Sequence, residues 1–536
     1  MKGMVCAPQP EAVEAGVVAL QKGGNAVDAA IACALVQTVV DPQMCGIAGF
    51  GTMHLYLAEI GKHLFIDFHG RAPEKVTEDM WADRIVAETD DGFGFILEGH
   101  VNDLGYQSIT SPGSLAGFSQ AIRTFGRLDL AELLEPAIEY CEQGFAVRPH
   151  VSYFWNLTES AGRIGHRQRL THFPATAKIY QRSDGSIPAP GEIHRNPDMG
   201  ATYRKIAREG IDSFYRGDIA QTIVTDMQNN GGLLNAKDLA EYQPQQREPL
   251  WGKYRGLKVA TNNPPGGGVM ILEMLNILEN FDLNAMGHNS PEYIATVSEA
   301  MKIATVDKDK YLGDPNFIEM PLEKLLSVEY AFDMAARIRR GEKTPVPRYK
   351  RAADNKDTTH VCTTDELGNC VSMTHSLGNP SGVVTEGLGF MYNGCMNVFD
   401  PRPGNADSIQ PGKSRFTAMS PTIIFENGKP ALIIGAPGGT YITMGILQGI
   451  LNVIDFSMTA QEAVSAPRFC ATSSVIDICN RVPRYVEQEL NTQGFTVRRS
   501  HLSYHFAGVH AIRVKDGKWD GGADPGRDGM ALASHA

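Results

Sequence analysis

Asp357-Thr358-Thr359-His360-Val361-Cys362-Thr363-Thr364-Asp365 breaks abruptly from what precedes it. Lys343 to Lys356 is polar and charged and holds Pro345 and Pro347, so it offers little to bury and reads as an exposed tether. From His360 to Thr363 the chain alternates and is β-prone. Glu366-Leu367-Gly368-Asn369 supplies turn residues, and Cys370-Val371-Ser372-Met373-Thr374-His375-Ser376 follows as a second run. The pattern predicts a hairpin with hydroxyls at both ends. A tether running into a strand that opens on Thr-Thr is the layout a self-cleaving N-terminal nucleophile requires. Its threonine begins inside the chain on an accessible loop and finishes as a terminus on a rigid strand.

The chemistry follows from the residue types. The Thr358 hydroxyl can attack the carbonyl of Asp357, an N-to-O acyl shift, and water then hydrolyses the ester. The freed α-amine, with a reference pKa of about 8, lies beside its own hydroxyl, so Thr358 can serve as nucleophile and base together. A Thr-Thr pair alone would equally open an ordinary strand. The C-terminal third weighs against that reading. Met419 to Phe425 and Ala431 to Ile434 read as strands, and the second runs into Gly435-Ala436-Pro437-Gly438-Gly439-Thr440 ahead of the apolar, helical stretch 442–453. A Pro-Gly-Gly break there exposes successive backbone N–H groups at a helix start. It suits a developing oxyanion as well as a plain tight turn.

Together, Thr-Thr-His at 358–360, Met-Ser-Pro-Thr at 419–422, Pro-Gly-Gly at 437–439 and Ala-Pro-Arg-Phe at 466–469 resemble the γ-glutamyltransferase (glutathione hydrolase) family of N-terminal nucleophile hydrolases. Gly23 to Ala30, Ser111 to Phe118, Asn276 to Asp282, Tyr311 to Pro315 and Gly522 to Pro525 look like further landmarks in the family's order. The resemblance implies an α+β fold, a four-layer αββα sandwich of two stacked sheets between helical layers. A large subunit, 1–357, and a small subunit, 358–536, would build that one fold jointly. Whether such pairs dimerise is left open.

Site residues carry over one at a time. Ser376 matches a family hydroxyl that steadies the nucleophile, with Thr374 two residues before it, and Gly438 and Gly439 match the oxyanion pair. The family arginine for the substrate α-carboxylate falls at His69, while Arg71, two places on, could still reach the site with its bidentate fork. Gly378 stands where the family has an asparagine near the nucleophile's amine, although Asn379 is adjacent. Val398, next to Asn397, replaces the aspartate that grips the glutamyl α-amine, and Thr417-Ala418 replaces a serine pair. Residues 400–414 form a shorter segment than in typical bacterial members, which suggests a reduced or absent lid. The lost aspartate removes a charge-assisted contact of about 1.5–3 kcal/mol. The resemblance thus implies kept machinery and a changed pocket, one that prefers an acyl carboxylate without an amine, held by Arg71 or by protonated His69.

With 536 residues and 43% hydrophobic composition, the chain can bury a core more than one layer deep. A formal charge of −12 and scattered basic residues argue against a nucleic-acid partner. No apolar run approaches the roughly 18 residues of a membrane span. Nine cysteines, an odd number without metal-type spacing, fit a reduced protein. No signal peptide is visible, so a cytoplasmic setting is the simplest reading, and a periplasmic or secreted one would need a trimmed leader. His166, His172 and His194 lack ligand spacing, and neither a metal nor a cofactor is expected.

Pro10 to Lys22 reads as a helix, and Asn25 with Asp28 as a variant capping box on the next. Residues 100–340 read as mainly helical, including a single helix from Leu322 to Arg340. Three functions compete. The first is a self-processing amidohydrolase acting on a small γ-glutamyl or related amide, such as a short oxo-acid amide or an N-acyl compound. The second is a non-processing homologue acting as a binding protein, and the third a polymer-capsule transpeptidase. The residues at 358, 376 and 438–439 favour the first.

Overall fold

The hairpin forms where the alternation places it, with strands Thr359–Asp365 and Cys370–Ser376 paired antiparallel in a computed structural model. The structure describes residues 2–347, 358–502 and 506–535. Asp357, the candidate cleavage residue, lies outside them with the rest of 348–357.

The hairpin is the centre of a seven-stranded antiparallel sheet. Cys370–Ser376 pairs on its far side with Phe50–Leu57, then come Lys62–Phe68 and Gln245–Arg247. Thr359–Asp365 pairs with Gly3–Ala7, and Met530–Ser534 closes that edge. A second antiparallel sheet runs Leu250–Tyr254, Leu257–Thr261, Thr422–Glu426, Lys429–Gly435, His510–Lys515 and Lys518–Ala523. Segments from before 347 and after 358 therefore share both sheets.

Period-two alternation decides the layers. Val361, Val371, Met373, Met53 and Leu55 point from the first sheet into a core shared with helices Pro10–Gln21 and Ala26–Val40. The alternate residues Cys6, Cys362, Cys370 and Tyr56 meet Ala260, Ile423, Ile433 and Ile512 of the second sheet. The outer face of the second sheet, with Ile424, Leu432 and Ile434, packs on helices Gly268–Leu278, Pro291–Tyr311 and Ile442–Ile454. This is the αββα stack. No helix among the described residues is long and apolar enough to cross a membrane.

Close approach of the two sheets leaves one position no freedom. An added Cβ at Gly435 would lie 2.0 Å from Cε1 of buried His360. Gly435→Ala should therefore destabilise the protein by about 1–3 kcal/mol through overpacking. A lowered urea midpoint with unchanged slope would show it; an unchanged midpoint would contradict it.

The Asn25–Asp28 capping box is present in full. Two expectations need correction. The helix predicted from Leu322 to Arg340 is two, Leu322–Leu325 and Val328–Arg339, because the Ser327 hydroxyl caps the second by accepting from Tyr330 N. The tether is also anchored at its start: Thr344 N donates to buried Glu299 (2.7 Å) and Val346 N to Ser474 Oγ (3.0 Å). Apolar counting missed this because backbone donors hold the segment and one isolated apolar side chain, Val346, is buried within it.

Candidate active site

The register of the first sheet builds the site. Thr359 faces His375, Ser376 faces Phe50, and Phe68 faces Gly51. One step further along each strand, Thr358, Ser376, Phe50 and His69 form a single row across the sheet, on the face turned to the second sheet. Thr358 Oγ1 is 2.9 Å from Ser376 Oγ, and that hydroxyl accepts from Gly378 N at 2.8 Å. Gly378 N fixes the position of the Ser376 hydroxyl, and either hydroxyl of the Thr358–Ser376 contact can be its donor. Thr358 has φ of +98°, a strained conformation for a β-branched residue. Cutting the bond that defines this torsion would release the strain.

Thr374 occupies the next row, where its hydroxyl meets His360 Nδ1 at 2.8 Å and not Thr358. Burial, and secondarily His375, pushes the His360 imidazole down to about 3. A ring neutral near pH 7 and engaged by Thr374, with Cys362 Sγ 3.2 Å from its other nitrogen, is not a base for the threonine. That leaves the α-amine that cleavage would create as the candidate base.

Thr358 opens into a small cleft of about 50 Å³ lined also by Phe50, Asp91, Phe93, Arg163, Gly378, Asn397, Val398, Arg415, Thr417 and Gly439. Phe93 and Val398 also line a neighbouring cleft of about 330 Å³. Strand Lys429–Gly435 brings in the glycine pair ahead of a 3₁₀ turn, Gly439–Tyr441. Among the described residues, the N–H groups of Gly438 and Gly439 donate to no protein acceptor. Asn397 donates to Asp103 (2.9 Å), and Thr417 Oγ1 accepts from Met419 N (3.3 Å).

His69 and Arg71 do not line this cleft. His69 stands behind Phe50, ring centroids 6.1 Å apart, and its Nδ1 is bound to Asp67, two residues back on the same face. Arg71 follows in a loop bridged to Ser111 and Ser414, where its guanidinium donates to Gln243 O (2.7 Å) and lies over the Tyr242 ring. The pair expected to hold a substrate carboxylate is thus turned away.

The sequence reading missed Arg163, Asp91 and Arg415. Arg163 holds Asp91 through two bonds of 2.9 Å. Burial works to raise the Asp91 carboxyl, but Arg163 outweighs it and keeps the acid below its ordinary value. Arg415 carries the one usable signal, its place two residues before Thr417 in a stretch already marked as altered.

A threonine opening a central strand of an αββα stack, beside a hydroxyl partner and in a cleft that Gly439 also lines, fits the fold class of the N-terminal nucleophile hydrolases. The chain belongs to the gamma-glutamyltranspeptidase family, whose model matches residues 12–534. It is 36% identical to the acylase ACY 1 proenzyme of Pseudomonas sp. (strain SE83) over 99% of this chain and 93% of that protein. It is 33% identical to the glutathione hydrolase proenzyme of Escherichia coli (strain K12) over 87% of this chain and 80% of that protein. The crystal structure of cephalosporin acylase from Bacillus halodurans superposes with a TM-score of 0.89 at 30% identity, covering 100% of this chain and 96% of that one. The chain is an enzyme of the self-processing amidohydrolase type.

Proposed function

We propose that this enzyme hydrolyses small amides whose acyl group carries a carboxylate but no α-amine, through an acyl-enzyme on Thr358. The precursor would be cut between Asp357 and Thr358, and residues 1–357 and 358–536 would remain together as large and small subunits of one fold. Gly438 and Gly439 would hold the oxyanion and Ser376 would steady the nucleophile. Asn397, Thr417 and Gly378 would shape the acyl pocket. Buried thiols at all nine cysteines support a reducing, cytoplasmic setting.

The observation that carries the specificity is the charge of the cleft. Where the family places an ammonium-binding aspartate, half-buried Val398 lines the wall. Asp91, the one carboxylate lining the cleft among the described residues, is already held by Arg163. An α-ammonium would therefore be desolvated without a partner, while an anion would meet a positive site. Relatives named acylase and cephalosporin acylase, beside those named glutathione hydrolase, agree with a pocket that varies within the family. The test is a pair of nitroanilides, γ-glutamyl and glutaryl, differing only in the amine. The glutaryl compound should react at least as fast, and a strong preference for γ-glutamyl would overturn the reading.

A further inference from the structure

We propose that Arg415 is the carboxylate anchor of the acyl pocket, a role that rests on Thr358 being the nucleophile of the same cleft. Arg415 is 5% exposed, yet among the described residues no carboxylate forms an ion pair with it. Other buried arginines are neutralised: Arg163 by Asp91 at 2.9 Å, Arg169 by Asp103 at 2.7 Å, and Arg468 by Asp524. A buried charge without a counter-ion is costly, so an unmatched guanidinium in a ligand cleft points to an anion supplied from outside.

Its surroundings offset the charge only in part: Asp407 acts on it at a distance without pairing, and burial pushes that carboxyl up to about 7. The guanidinium lies over Phe50, 4.9 Å from the centroid, and near Phe93 at 5.6 Å. Nη1 donates to the Phe416 carbonyl at 2.7 Å, while buried Nε has no acceptor. A planar group fixed against aromatic rings, with donors left over, matches a carboxylate through two parallel bonds. Phe50 also belongs to the Thr358 row, which ties the anchor to the nucleophile.

Gly378 leaves the guanidinium room. A Cβ there would lie 3.3 Å from Arg415 Nη2, and the residue has φ of +66°. An asparagine at that position would press on the guanidinium. The glycine at 378, the valine at 398 and the arginine at 415 thus form one coupled change, from a pocket with an ammonium site to one built around a cation.

The test compares glutaryl with pentanoyl nitroanilide, equal in length but for the carboxylate, in wild type, Arg415→Gln and Arg415→Lys. Wild type should favour glutaryl. Arg415→Gln should cut the glutaryl-to-pentanoyl ratio of kcat/KM about tenfold or more, chiefly through KM, and Arg415→Lys should restore part of it. The ratio within one preparation does not depend on the folded fraction, and intact mass checks processing. In wild type, glutarate should compete with substrate where pentanoate does not, a measurement that needs no variant. The anchor is refuted by a ratio that survives Arg415→Gln, or by a wild type indifferent to the carboxylate. The reading it rests on fails differently, through an uncut chain that hydrolyses neither anilide.

Discussion

Thr358→Ala should yield one uncut chain after long incubation, while the wild-type protein separates under denaturing conditions into residues 1–357 and 358–536. The reason is that the two roles of this residue cannot be divided. In the proposed mechanism its hydroxyl would open the scissile bond, and the amine so released would become the base for the same hydroxyl. No neighbour can substitute. Ser376 is engaged by Gly378 N and Thr358, and His360 is buried, neutral and turned to Thr374. Amidase activity should fall by a factor on the order of 10⁴ or more, as when a nucleophile acting as part of a unit is removed. Intact mass spectrometry and a nitroanilide assay read the two effects separately. Thr358→Ser is the control: it keeps the hydroxyl, so it should still process, if more slowly. A wild-type chain that stays whole, or a Thr358→Ala chain that is cut at the same bond, would refute the assignment.

How much of this was legible in the residues depended on the range of the interaction involved. The hairpin could be read because alternation is local, and the Asn25–Asp28 capping box because both partners lie within one turn. The family landmarks supplied the stacking order that no local rule gives. Side-chain destinations were not legible. Arg71 stands two places from the counted position, near enough to reach the site, but its loop is bridged to Ser111 and Ser414, residues far away in sequence, and Tyr242 offers its guanidinium a seat outside the cleft. Arg163 and Asp91 are 72 positions apart and pair only in the finished fold. Arg415 looks like an ordinary basic residue until Phe50 closes over it. The Ser327 cap was readable in principle, since a serine before a short apolar run is an N-terminal signal. The long apolar periodicity around it hid the break.

Val398→Asp should turn the specificity of the pocket around. Position 398 lines both the Thr358 cleft and the larger one beside it, so a carboxylate there meets the acyl group at the family's ammonium site. A charge-assisted contact of about 1.5–3 kcal/mol corresponds to roughly one to two powers of ten in kcat/KM for γ-glutamyl nitroanilide. Glutaryl nitroanilide should lose rate in the same variant, because the new negative charge repels its carboxylate and competes for Arg415. The selectivity ratio should therefore move by about two powers of ten, with both substrates contributing. The competition can be separated from the gain. If the introduced carboxylate merely neutralises Arg415, glutaryl hydrolysis falls while γ-glutamyl hydrolysis stays flat, and processing is untouched. If position 398 does not face the acyl group at all, both rates remain as in wild type. Only a rise for the amine-bearing substrate, measured against its amine-free twin, supports the idea that replacing one acid with valine moved this enzyme away from glutamyl recognition.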